Sequence, residues 1–203
     1  MEGRGGQTEP QCYHLFVSRA GYVLVGGRSS RMGRDKARLP FRGASLAEFV
    51  ARIVAEAAGS AVLIGDPVMY ESLGYPVIPD LYPGEGPLGG IITALHHTTA
   101  DWNLVVACDM PGLSVPFLQR LLGIAEQRAA AALVPMGPSG RPEPLCAVYH
   151  HGGLEKIEAV FRGGERKVTA ALRQLPAESL TVEEVAVFQN VNTPEDWAGY
   201  ARE

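Results

Sequence analysis

The sequence predicts an α/β fold around a mainly parallel sheet, held in one domain. Three observations carry this. From Tyr22 onward, short apolar, β-branched runs alternate with longer segments of helical periodicity, the pattern of βαβ units. The runs are as short as buried strands usually are. The chain has 203 residues with no internal repeat, low-complexity tract or long linker, which suits a single domain.

In chain order, strands are expected at residues 22–25, 61–64, 76–78, 103–107, 132–134 and 145–149. Helices are expected at 45–58, 88–97, 116–129, 154–161, 168–175 and 194–201. The domain should span residues 20–203. Residues 1–19 read as a flexible N-terminal extension, in which 13–17 could add an edge strand. The Gly/Pro-rich stretch 137–144 reads as a loop over the site.

Hydrophobic residues make up 46% and charged residues 20%, enough apolar side chain for a core and unlike a disordered chain. A net charge of −4 offers no global attraction to nucleic acid, so an anionic ligand must be held by local donors. Cys12, Cys108 and Cys146 form no CxxC pair, which argues against structural zinc or a redox motif and suits a reducing compartment. No apolar stretch is long enough for a membrane helix and the N-terminus lacks a signal pattern. The expectation is a cytoplasmic protein without membrane or nucleic-acid partners.

In an open α/β sheet, ligands sit beyond the carboxyl ends of the strands. The first strand runs into Gly26-Gly27-Arg28-Ser29-Ser30-Arg31-Met32-Gly33-Arg34-Asp35-Lys36. Glycines let backbone N–H groups converge on an anion, and hydroxyls and cations add donors. Arg31 and Lys36 can neutralise a triphosphate from two sides. This is neither a Walker A loop nor a dinucleotide fingerprint.

The fourth strand delivers Cys108-Asp109-Met110-Pro111 to the same edge. Two phosphate-bearing substrates repel, and a carboxylate there can fix a Mg2+ ion that bridges phosphate oxygens. Asp109 is the expected metal ligand; its alternative is a turn or capping residue. Cys108 reads as a small buried residue rather than a nucleophile. The loop from Pro79 to Ile91 holds Asp80, whose carboxylate suits the N1 and exocyclic amine edge of guanine. A cap or simple turn role for Asp80 is the alternative.

On these residues the chain resembles the molybdenum cofactor guanylyltransferases (MobA-like nucleotidyltransferases). The motifs are Leu24-Val25-Gly26-Gly27 with Ser29 to Lys36, Asp109-Met110-Pro111, Asp80 followed by Gly86-Pro87-Leu88, Pro142-Glu143-Pro144-Leu145, and Asn190-Val191-Asn192-Thr193-Pro194. Family members usually carry alanine where Val25 stands. The resemblance runs from about Tyr22 to Ala201 and implies a three-layer α/β/α, Rossmann-like nucleotidyltransferase fold with a mostly parallel mixed sheet.

It further implies transfer of GMP from GTP to molybdopterin, with pyrophosphate as leaving group. Arg31, Lys36 and Asp109 would be catalytic, with Mg2+ on Asp109. Leu24, Gly26, Gly27, Ser29, Arg31, Gly33, Lys36, Asp80, Gly86, Pro87, Leu88 and Asp109 would contact the nucleotide. Glu143, Asn190 and Asn192 would face the acceptor, and Thr193 can cap the helix at Pro194. Arg141, Arg162, Arg166 and Lys167 read first as solvated charge and second as donors to an acceptor phosphate. The five histidines show no ligand spacing.

The rival readings are a cytidylyltransferase for the same cofactor, a pyrophosphorylase for another phosphorylated small molecule, and a noncatalytic cofactor carrier. Both Lys36 and Asp109 are present, which a mere binder does not need. Protein partners implied by the family are cofactor-synthesis proteins and molybdoenzyme chaperones, met transiently.

Overall fold

A computed structural model describes residues 18–26, 35–128, 130–191 and 193–200. Strand β1 (Arg19–Leu24) pairs in parallel with β4 (Val62–Ile64) on one side and β6 (Trp102–Ala107) on the other. β5 (Val77–Ile78) extends the β4 edge in parallel. Beyond β6 the direction reverses: β8 (Cys146–His150) runs antiparallel to both β6 and β7 (Ala132–Met136). β9 (Ala177–Thr181) ends the sheet parallel to β7. The order is β5-β4-β1-β6-β8-β7-β9.

The strands read as near-continuous apolar runs because both faces are covered. Val23, Leu63, Leu104, Val106, Leu133 and Val148 join one core under α1 (Leu46–Ala58) and α4 (Val115–Gln127). Their alternating neighbours Tyr22, Leu24, Ile64, Val105, Ala147 and Tyr149 join a second core. That core lies under α3 (Pro87–His97), α5 (Leu154–Arg162) and α6 (Val168–Leu172). This is the three-layer α/β/α arrangement with a mostly parallel mixed sheet.

Helix α1 begins with a capping box: Ser45 Oγ accepts from Glu48 N at 3.3 Å, and Ser45 N donates to Glu48 Oε2 at 2.8 Å. It ends at Gly59, whose φ of 84° is left-handed. It lies so close to β1 that a Cβ on Gly21 would stand 2.4 Å from both Ser60 O and Val54 Cγ1. Helix α7 (Pro194–Tyr200) packs Trp197 and Tyr200 against the first core.

Five elements depart most from the sequence expectation. β1 starts at Arg19, three residues earlier than its apolar run, because parallel pairing with β6 continues to Trp102 and Ser18 accepts from Trp102 N at 3.1 Å. β9 is an extra strand whose residues are mostly exposed, so no apolar alternation marks it. A two-residue turn joins β2 (Pro40–Phe41) to β3 (Ala44–Ser45). The short helix α2 (Pro67–Tyr70) follows an Asp66 cap. The expected strand at 13–17 and nearly all of the 1–19 extension lie outside the described residues. Among the described residues, no helix is long and apolar enough to cross a membrane.

Candidate functional site

The carboxyl ends of β1, β4, β5 and β6 share one edge, and a cavity of about 630 Å³ opens there. Hydrogen bonding aligns its walls. Val25 N donates to Ile64 O at 3.1 Å, and Cys108 N donates to Leu24 O at 3.1 Å. The turn carrying Asp109 is thereby seated beside the end of β1.

Lys36 enters from the first loop. Asp35 caps the 3-10 turn Lys36–Arg38 by accepting from Ala37 N at 3.0 Å, which fixes the root of the lysine. Its Nζ lies 3.4 Å from Asp109 Oδ2, with the two side chains only 17% and 21% exposed. Burial holds the Asp109 carboxyl above the usual carboxylate range, against the opposing pull of Lys36. An ion pair at this depth is not a surface ornament, because desolvating a carboxylate costs several kcal/mol; a bound counter-charge offsets that cost.

The neighbourhood suits a hydrated divalent cation. Asp35 Oδ2 and Asn190 Oδ1 are buried without a hydrogen-bond partner, and both residues line the cavity with Asp109. Two orphan acceptors beside a carboxylate call for donors, which the waters of a Mg2+ ion supply. Among the described residues no cluster of three or more His, Cys, Asp or Glu could cage a metal. Val191 N donates to Asp109 O at 2.9 Å, which seats Asn190 on the same cavity wall as Asp109.

Burial pushes the Cys108 thiol far up, with Asp109 and Asp35 adding to the shift. This shift disfavours a thiolate at Cys108.

At the other end of the cavity, α3 begins at Gly86, whose φ of 87° is left-handed, with Pro87 in the first turn and no side-chain cap. Pro87 has no N–H and Gly89 N donates to Gly86 O at 3.1 Å, which leaves the Leu88 N–H of this turn as a donor for a ligand. Asp80 Oδ1 accepts from Tyr82 N and from the hydroxyl of buried Thr93, both at 3.0 Å. That hydroxyl also lies 2.9 Å from Gly89 O, so its one proton serves the two acceptors in turn. The turn role weighed for Asp80 is thus realised by one oxygen, leaving Oδ2 for a ligand.

The structure brings together Leu24, Gly26, Lys36, Asp80, Gly86, Pro87, Asp109 and Asn190 around one cavity. It does not bring in two others. The Leu88 side chain is fully buried in the second core, because the second position of α3 faces the sheet; only its backbone can serve a nucleotide. Glu143 is absent from the cavity wall. Its backbone is bound to Pro135 O and Cys146 N, and its carboxyl is pushed up mainly by burial. Gly27, Ser29, Arg31, Gly33 and Asn192 lie outside the described residues.

Sequence reasoning missed Asp35, Pro83, Gly84 and Leu145, which also line the cavity. Asp35 carried a signal, an acidic residue just before Lys36. Leu145 stood in the Pro142-Glu143-Pro144-Leu145 motif without being assigned to the site, which it reaches because β8 is antiparallel and starts at this edge.

Comparison with known proteins agrees with this architecture. Residues 21–179 match the MobA-like NTP transferase domain. A Bacillus cereus (strain AH820) protein named "Probable molybdenum cofactor guanylyltransferase" is 34% identical over 188 residues, covering 88% of this chain and 93% of its own length. A Flavobacterium johnsoniae protein of the same name is 31% identical over 177 residues, with 86% and 92% covered. The crystal structure of molybdopterin-guanine dinucleotide biosynthesis protein A from Archaeoglobus fulgidus superposes with a TM-score of 0.78 at 30% identity, covering 90% of this chain and 97% of that one. With the family domain over most of its length and relatives above 30% identity nearly end to end, this chain is a nucleotidyltransferase and belongs to the MobA-like NTP transferase family.

Proposed function

We propose that the enzyme transfers GMP from GTP to molybdopterin, releasing pyrophosphate. The observation that carries the reading is the half-buried Lys36–Asp109 pair at 3.4 Å, set between a base-sized loop around Asp80 and a polar wall at Asn190. The names of the relatives lend it support.

In this reading a terminal phosphate oxygen of the acceptor attacks the α-phosphorus of GTP in line. A new P–O bond forms, the bond to the bridging oxygen of the β-phosphate breaks, and pyrophosphate carries away the electron pair. Lys36 neutralises charge on the transferring phosphoryl group, helped by Arg31 from the first loop. The open N-terminal turn of α3 orients the nucleotide, and Asn190 holds the acceptor side next to Asp109. Asp109, with Asp35 and Asn190 around it, would hold Mg2+, which lowers repulsion between the two phosphate groups. Asp80 Oδ2 accepts a guanine N–H.

Free thiols at Cys108 and Cys146 suit a reducing, cytoplasmic setting. The test is incubation with molybdopterin, magnesium and each of GTP, CTP, ATP and UTP, reading pyrophosphate and the dinucleotide product. GTP should be strongly preferred. A CTP preference would overturn the guanine assignment, and tight GTP binding without product would favour a noncatalytic carrier.

A further inference from the structure

The loop that carries Asp80, Pro83, Gly84 and Gly86 to the cavity is fastened from outside by the corner between α5 and α6. Arg166 is the fastening. Its Nε lies 2.5 Å from Glu85 Oε2, and its Nη1 donates to the carbonyls of Phe161 at 2.8 Å and Glu165 at 3.0 Å. Its guanidinium carbon stands 4.0 Å from the centre of the Phe161 ring. The same ring meets Tyr82 at 4.5 Å, and Tyr82 packs on Gly89, where a Cβ would come within 2.9 Å of it.

An exposed ion pair alone contributes little, and these side chains are 41% and 49% exposed. Arg166 differs because two backbone carbonyls and a ring face already hold its planar fork, so little freedom is lost when Glu85 binds. The loop needs such an anchor. Gly84 and Gly86 have φ of 80° and 87°, and the local backbone ties of the segment are the bonds from Glu85 N to Tyr82 O and from Gly89 N to Gly86 O, both at 3.1 Å, so two glycines with little intrinsic preference leave its position to be set from outside. The charge of Arg166 is thus directed at Glu85 rather than at an acceptor phosphate.

We propose that Arg166 is a positioning residue for nucleotide selection: by holding Glu85 it fixes the 83–86 segment against the base end of the cavity. The inference rests on reading the Asp80 loop as the base site. It would make the enzyme's choice of base depend on a residue that does not line the cavity.

The test compares Arg166→Ala, Arg166→Lys, Glu85→Gln and the double variant Arg166→Ala/Glu85→Gln. Backbone hydrogen exchange at residues 81–86 is read in nucleotide-free protein, and KM, kcat and the GTP-to-CTP preference are read in pyrophosphate release. Each single variant should exchange faster at 81–86 and raise KM for GTP about threefold to fivefold, the span of one ion-pair-sized interaction. The preference for GTP should narrow while kcat stays within about twofold. The double variant should be no worse than the worse single one.

Additive losses, or faster exchange with unchanged KM and base preference, would overturn the proposal. Wild-type protein that turns over none of the four nucleotides would instead sink the base-site reading. Exchange at 81–86 would then decide the anchoring alone, and unchanged exchange would overturn that too.

Discussion

Gly112, three residues after Asp109, is where the two sides of the site press together. A Cβ there would lie 2.1 Å from the Ala186 carbonyl oxygen, 3.0 Å from its carbon and 3.4 Å from Val187 Cα. All three are backbone atoms, so no side chain can swing away. Gly112→Ala must push the 185–188 turn back by about 1 Å to reach even a tight contact. That turn leads directly to Asn190 and to the bond from Val191 N to Asp109 O. Overpacking of this kind costs about 1–3 kcal/mol, which for a chain of this size lowers Tm by roughly 2–12 °C. A displacement near 1 Å at a reacting site costs up to about a hundredfold in rate, so kcat/KM should fall about tenfold to a hundredfold. Pyrophosphate release at saturating GTP and magnesium, alongside a thermal melt, reads both effects. Gly123→Ala in α4, with nothing within 4 Å of its Cβ, is the control and should stabilise by about 0.5–1 kcal/mol. A Gly112→Ala enzyme that melts and turns over like wild type would refute the reasoning.

Three further outcomes are expected. Asp109→Asn should lose about a hundredfold or more in magnesium-dependent turnover and bind Mn2+ more weakly by electron paramagnetic resonance; undiminished turnover and affinity would remove Asp109 from the metal site. Ser45→Ala breaks the α1 capping box and should cost about 1 kcal/mol in a denaturant melt with kcat unchanged; a change in kcat would place α1 in the chemistry. The Glu48 carboxyl is held below its usual range by the Ser45 hydroxyl and then by the Ser45 backbone N–H, so the unfolded chain binds that proton more readily. Its contribution is complete above the ordinary carboxylate pKa and is lost as pH falls through the lower, folded value. The Tm gap between wild type and Glu48→Gln should therefore shrink on acidification below about pH 4; a gap that widens instead would contradict the sign.

The elements that were legible in the sequence are those buried on both faces. Leu104-Val105-Val106 announces β6 because alternate residues enter different cores, and Ser45 with Glu48 marks the start of α1. β9 was hidden because Ala177–Thr181 lies at the sheet edge with its side chains largely in water, leaving pairing to β7 as its only determinant. At the site, Asp80 and Asp109 were readable from charge placed just after apolar runs, and Lys36 from the Gly-rich, cationic loop that follows the first one. Leu145 was not, since its place depends on the direction of β8, which short apolar runs do not encode. Glu143, expected on the acceptor side, does not line this cavity, whereas Leu145 two residues further on does; the backbone of Glu143 is bound to Pro135 and Cys146.

The seam between β6 and β8 also sets a birth order. Strands β5, β4, β1 and β6, with Lys36, Asp80 and Asp109, all precede position 110, whereas the tie from Val191 to Asp109 joins residues roughly 80 positions apart. At typical ribosomal speeds, roughly 4–16 s separate the two during synthesis. The half of the pocket built on β1, β4, β5 and β6 is thus fully translated before the segment that closes its wall at Asn190 has emerged.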